Sequence, residues 1–372
     1  MTIKQKENKI ELTNGRNYGI DLLRMVLMFM VVMLHTLGNG GILNHVQLHS
    51  PNYFLAWTME CLCFCAVNCY ALISGYVGYG RPYRFRSLIM IWVQTIVYTT
   101  IVSALFLTVG NQEFSIGYFV NAFFAPQGNP LWYVPVYTGV YILLPALNKT
   151  VESFTKHQAK LFLVVTSLAL TVIPLLVRKD IFSLHEGYSV FWISYLYLIG
   201  AIIRKHKLDK LISRSFVKII YLISVLLIIG SKFGIGLITY SCLGEVRFDS
   251  ILIRYTSIVM LVQSIALLLL FANLDIKPQF SKMIKTLSPA AFGVYLLHCQ
   301  PYFFSFCTNR FAFLADASPF GMMFGAIGIT LLIYILCMTT DLFRINLFRK
   351  LNIADLVSRF EDRYLSWSKI FD

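Results

Sequence analysis

The chain has 372 residues, 57% of them apolar and 13% charged, with a mean hydropathy of +0.68 and a formal net charge of +14. Soluble domains carry about 25% charged residues, so this composition excludes a water-soluble globular protein and calls for lipid as the main solvent. The positive charge is read through membrane topology before any nucleic-acid partner, because Lys and Arg collect in cytoplasmic loops.

The basic segment 1–17 (Lys4, Lys6, Lys9, Arg16) leads into an apolar run that is long and has no small-residue cleavage site. It predicts a retained first span, not a signal peptide. Apolar runs suited to crossing a bilayer lie at 18–37, 52–76, 87–109, 131–148, 160–177, 190–204, 216–232, 251–273, 288–306 and 319–340. The expected fold is an all-α integral membrane protein of about ten transmembrane helices, with nine to eleven allowed by the short fifth, sixth and seventh runs. A transmembrane domain over 18–340 is flanked by cytosolic basic segments at 1–17 and 341–372. Internal repeats are lacking, as is any hydrophilic block long enough for a soluble domain.

Charge tests this layout independently. With the N-terminus inside, the inner segments hold 25 of the 32 Lys and Arg. The outer side holds six: Arg178, Lys179, Lys232, Arg247, Arg254 and Arg310. That alternation predicts cytosolic termini. Two outer loops suit either part of an outward-facing site or ordinary connections: residues 110–130, with an aromatic stretch at Ile116–Phe124, and a polar, glycine-bearing loop from Ser231 to Ser250. Most of the eight cysteines fall in apolar runs and read as small embedded side chains. Cys61, Cys65 and Cys69 share a helical stripe while Cys63 points elsewhere, so packing is expected and no metal.

Ionisable groups within a bilayer are expensive and mark candidate sites. Here they are Asp21, Arg24, His35, Glu60 and His298. Arg24 and His35 are eleven residues apart, which puts them on one helix face about 16 Å apart along the axis. Asp21 is spaced to pair with Arg24, although such a pair also serves to fix helix depth by snorkelling. His35 suits the role of general base toward a hydroxyl, with a satisfied helix-end histidine as the alternative. Glu60 is expected to orient that imidazole, with a structural hydrogen bond as the alternative. His298 either lines the same cavity or pins two helices together. Tyr133, Tyr137 and Tyr141 form a stripe after Trp132, usual for helix packing, in which Trp132 and Tyr133 also suit stacking on a sugar near the outer rim.

Several segments in order resemble acyltransferase family 3 membrane proteins: Tyr18 to His35, Ala66-Val67-Asn68 to Ile73-Ser74-Gly75-Tyr76, Leu131-Trp132-Tyr133 to Pro145, Tyr195 to Ala201, and Ser288-Pro289 to His298. The resemblance implies ten helices and acyl-CoA-dependent modification of glycans, with Arg24 and His35 matching the family's essential pair. It also implies an arginine-x-x-arginine pattern near the third span, matched by Arg81 and Arg84 slightly early, with Arg86 competing. The resulting expectation is an O-acyltransferase of a bacterial plasma membrane that moves an acyl group, foremost acetyl, from acetyl-CoA to a cell-surface carbohydrate hydroxyl. Arg24, Arg81, Arg84 and Arg86 are the candidates for binding CoA, since arginine forks suit phosphate. His35 and Glu60 are the catalytic candidates, and Trp132, Tyr133 and His298 those for the acceptor. Acyl-CoA, a carbohydrate acceptor and the lipid bilayer are the expected partners, with no metal cofactor and no nucleic acid. Direct transfer and an acyl group carried by His35 itself both stay open. The competing class is a transporter or flippase, which also needs embedded charges.

Overall fold

In the computed structural model, which describes residues 15–109, 116, 117, 120 and 129–364, every regular element is helical. The main helices are α1 (Tyr18–Leu37), α2 (Pro51–Cys63), α3 (Ala66–Gly78), α4 (Phe85–Val109), α5 (Tyr133–Ser153), α6 (Lys156–Val177) and α7 (Val190–Lys205). They continue with α8 (Arg214–Leu243), α9 (Ile258–Ala272), α10 (Pro278–Leu287), α11 (Ala291–His298), α12 (Pro301–Cys307), α13 (Pro319–Lys350) and α14 (Ile353–Tyr364). Among the described residues, six stretches are long and apolar enough to cross a membrane: Tyr18–His45, Pro51–Gly78, Phe85–Val109, Lys156–Val177, Arg214–Leu243 and Pro319–Lys350. Most of the expected 110–130 loop lies outside the described residues.

Polar caps explain where the helices start. Asn17, Ser50, Thr155, Ser189, Ser213, Ser257 and Ser318 each accept a backbone N–H of the first turn. Such caps satisfy donors that a membrane interior would leave bare. Thr155 and Gln158 complete a reciprocal capping box.

Two apolar runs that read as single spans are broken. The 52–76 run divides between Cys63 and Ala66, and the 288–306 run divides at Cys299 and Gln300, whose side chain caps α12. The expected Ser231–Ser250 loop is also corrected, because α8 runs on to Leu243 and ends at Gly244 in the left-handed region, φ 73°. Its Lys232 is buried, bonds Asp249 at 2.6 Å and lies 3.3 Å from the centre of the Trp57 ring. With its cation matched in this way, the helix has no reason to stop there.

α1 is the hub, packed by α2, α3, α9, α11 and α13, while α7 packs against α3 and α5. Between α3 and α7 the backbones nearly touch. A Cβ on Gly75 would collide with the Tyr197 carbonyl, and one on Gly200 with the Leu72 carbonyl. Small residues serve this purpose in membrane interfaces. Outward, α6 and α8 expose Leu161, Val165, Leu168, Leu222, Leu226 and Ile238. An apolar exterior around a more polar centre is the arrangement a lipid solvent selects.

Candidate active site

At the start of α1, Asp21 is buried between two guanidiniums. Arg24 reaches it at 2.9 Å from one turn away, and Arg16 bonds it from before the helix. Arg16 also bonds Ser288 Oγ at 3.1 Å, which ties the entry of α1 to the segment before α11. The Arg24 carbonyl accepts the Tyr70 hydroxyl at 2.6 Å, and Arg24 keeps about a third of its side chain exposed (32%).

Arg81, just beyond α3, lies in the field of Arg24 and Arg204. Its pKa is lowered, first by burial and then by these two cations, with Asp21 opposing. Arg204, at the end of α7, lies 5.3 Å from the centre of the Tyr76 ring. Three arginines, from α1, α7 and the turn after α3, thus converge at this end of the bundle. Of the other two candidates, Arg84 offers its carbonyl to the Tyr141 hydroxyl at 2.7 Å. Arg86 lies in the first turn of α4.

At the far end of α1, His35 meets His298, with Nδ1 of His35 3.0 Å from Nε2 of His298. The break after α11 makes this possible, since His298 is its last residue. His298 Nδ1 lies 2.6 Å from the Val294 carbonyl. A carbonyl only accepts, so Nδ1 carries the proton and Nε2 presents a lone pair. His35 therefore donates from Nδ1, which leaves its own Nε2 as a free lone pair. That tautomer is the one a proton acceptor needs.

Phe304 sets its ring edge-on to His35, with centroids 5.2 Å apart. Both histidines line a cavity of about 10 Å³, bounded also by Asn39, Thr36 and Phe303. That is room for a single water. Cys299 Sγ lies 3.6 Å from His35 Nδ1 and 3.4 Å from His298 Nε2.

Tyrosines link the two ends. Tyr141 contacts Arg84, and Tyr137 lies in the field of Arg24. Tyr137 stacks on Tyr133 at 5.7 Å and 14°. Tyr133 meets Tyr295 edge-on at 6.3 Å, and Tyr295 meets His298 at 6.2 Å. The Tyr133 hydroxyl is buried with no partner among the described residues. Its ring is already engaged by Tyr137, so Tyr133 offers an interior hydroxyl more readily than an outer stacking face. Trp132, half-buried, lies against Tyr188 at 4.5 Å.

Glu60 does not orient His35; that partner is His298. Glu60 is buried one helix away, with Lys232 the cation whose field reaches it, and its Oε2 has no partner among the described residues. Sequence reasoning did not single out Arg204 or Cys299, which stand beside the candidate groups. Each adjoins a motif it had singled out, Tyr195 to Ala201 and the segment ending at His298. That adjacency was the available signal.

A family model described as an acyltransferase domain matches residues 17–339. No curated protein and no solved structure matches the chain.

Proposed function

The chain belongs to this acyltransferase family, and on that premise we propose that it carries an acyl group, foremost acetyl, from acyl-CoA to a hydroxyl of a cell-surface carbohydrate or its precursor. The family match favours this reading over a transporter. The proposal includes ten spans, cytosolic termini and a bacterial plasma membrane. The observation that carries it is the histidine pair, which leaves His35 Nε2 unprotonated on a residue that lines a small cavity.

CoA phosphates would meet Arg24, Arg81 and Arg204 at the inner end, where guanidinium forks suit phosphate oxygens. The acyl-bearing arm would follow Tyr141, Tyr137 and Tyr133 toward His35. In direct transfer, His35 Nε2 takes the acceptor's hydroxyl proton as its oxygen attacks the thioester carbonyl. When the tetrahedral intermediate collapses, the CoA thiolate leaves and receives that proton from the imidazolium. The His298 lone pair accepts from His35 Nδ1–H throughout and stabilises the imidazolium, the part an orienting group plays in hydrolytic triads.

The test is CoA release by the purified protein in nanodiscs, read with a thiol-reactive reporter over a panel of glycans. Release should require an acceptor and fall about 10²- to 10⁴-fold in His35→Ala. Acceptor-independent acyl labelling that His35→Ala abolishes would replace direct transfer with an acyl-histidine. A folded protein that turns over no acyl-CoA would sink the enzyme reading.

A further inference from the structure

The mechanism above leaves Cys299 without a task, yet it is the third member of a compact donor set. His35 Nδ1, His298 Nε2 and Cys299 Sγ lie 3.0, 3.4 and 3.6 Å from one another. Among the described residues this is the one place where three such donors converge. Zinc bonds of about 2.0–2.1 Å to nitrogen and about 2.3 Å to sulfur, at tetrahedral angles, set nitrogens about 3.4 Å apart and nitrogen from sulfur about 3.6 Å. The three side chains therefore already stand near one face of a zinc tetrahedron. Both imidazoles also line the cavity of about 10 Å³.

The surroundings fit as well. His298 gives its other ring proton to the Val294 carbonyl, the outer-shell bond that metal-bound histidines make. Two imidazoles and a thiolate select borderline-soft ions over Mg²⁺ or Ca²⁺. Cys61, Cys63, Cys65 and Cys69, the more conspicuous cysteines, are all unpaired and buried but form no such group with histidines.

We propose that His35, His298 and Cys299 form an inhibitory binding site for a zinc-class transition-metal ion. The step balances in protons. Binding expels the Cys299 thiol proton, so one proton is released per ion. The His35 proton moves from Nδ1 to Nε2 as Nδ1 becomes a ligand, and His298 keeps its proton on Nδ1. The lone pair that served as the base thereby disappears, and the ion switches off transfer with the imidazoles parting by only about 0.4 Å. Inhibition rests on the reading of His35 as the base; metal binding does not.

The two parts are tested separately. Equilibrium dialysis with Zn²⁺ should give one ion per chain. Substitution by Co²⁺ should give the near-ultraviolet charge-transfer band of a cobalt–thiolate bond, and both readouts need no turnover. In the CoA-release assay, Zn²⁺ should inhibit the wild type. Cys299→Ala should turn over normally in chelator-treated buffer but need about tenfold more Zn²⁺ for half-inhibition, and should lack the cobalt band. Cys299→Ser, closer in volume, repeats the comparison should the alanine variant unfold. Equal zinc sensitivity of wild type and both variants, or no stoichiometric binding to folded wild type, would overturn the site. A cobalt band in a protein that turns over no acyl-CoA would keep the site and remove the enzymatic reading instead.

Discussion

At the scale of single residues, α1 carries one candidate group at each of its ends. Arg24 and His35 share a face of α1 because eleven residues make three turns and a little more. The structure keeps them at opposite ends of that helix, one among arginines and the other facing a cavity. His35 and His298, by contrast, are 263 positions apart, and no periodicity links them. Glu60 is near His35 in sequence, but helix packing buries it without a partner for its Oε2 among the described residues, and the nearby Lys232 bonds Asp249. The His298 role makes a specific prediction. His298→Ala frees the His35 tautomer and should lower kcat by about 10- to 10²-fold, a part of what general-base catalysis supplies, while KM for acyl-CoA stays put. His298→Gln should recover part of the loss, because its amide oxygen can accept from His35 Nδ1 where an alanine cannot. Loss of kcat and KM together, with no recovery by glutamine, would make His298 a mere packing residue.

At the scale of elements, what was legible was where apolar length accumulates, and what was hidden was where it breaks. Nothing in the Cys61–Ala66 stretch advertises the division between α2 and α3, since Leu, Cys and Phe read alike on either side. The division after His298 did carry a signal, Pro301 at the start of α12, and it leaves His298 as the last residue of α11. Glycines were more informative than they looked. Gly75 and Gly200 belong to segments singled out for their resemblance to the family, and their physical reason is the close approach of α3 and α7. Gly200→Ala forces a methyl against the Leu72 carbonyl and the Tyr76 amide, both backbone and neither able to swing aside. Overpacking of this kind costs about 1–3 kcal/mol. The variant should therefore lose thermal stability in detergent, whereas Gly234→Ala, where a Cβ meets nothing within 4 Å, should not. Equal melting temperatures for the two would show that the α3–α7 contact is looser than drawn.

At the scale of the whole molecule, composition alone identified the solvent, and charge alone proposed an orientation that helix geometry does not by itself decide. The reading with both termini inside puts 25 Lys and Arg on the inner side and six on the outer. Three of those six, Arg178, Lys179 and Arg254, line the cavity of about 210 Å³ between the end of α6 and the start of α9. Half of the cations that resist the positive-inside trend thus gather around one concave surface, which on this reading faces the side where a carbohydrate would arrive. The native cysteines offer a direct test. Of the eight, Cys242 is exposed, and the other seven are buried. It sits in the last turn of α8, whose opposite end carries Arg214 and Lys218 of the inner basic set. If that basic end is cytosolic, a membrane-impermeant maleimide should label the unmodified protein in intact cells, and Cys242→Ser should abolish the signal. The positive-inside bias orients short loops strongly, so labelling should be nearly complete before the membrane is permeabilised. Labelling that waits for permeabilisation would invert the bundle. The arginine cluster would then face outward, away from any cytosolic acyl-CoA, and the proposed direction of acyl transfer would fail with the topology.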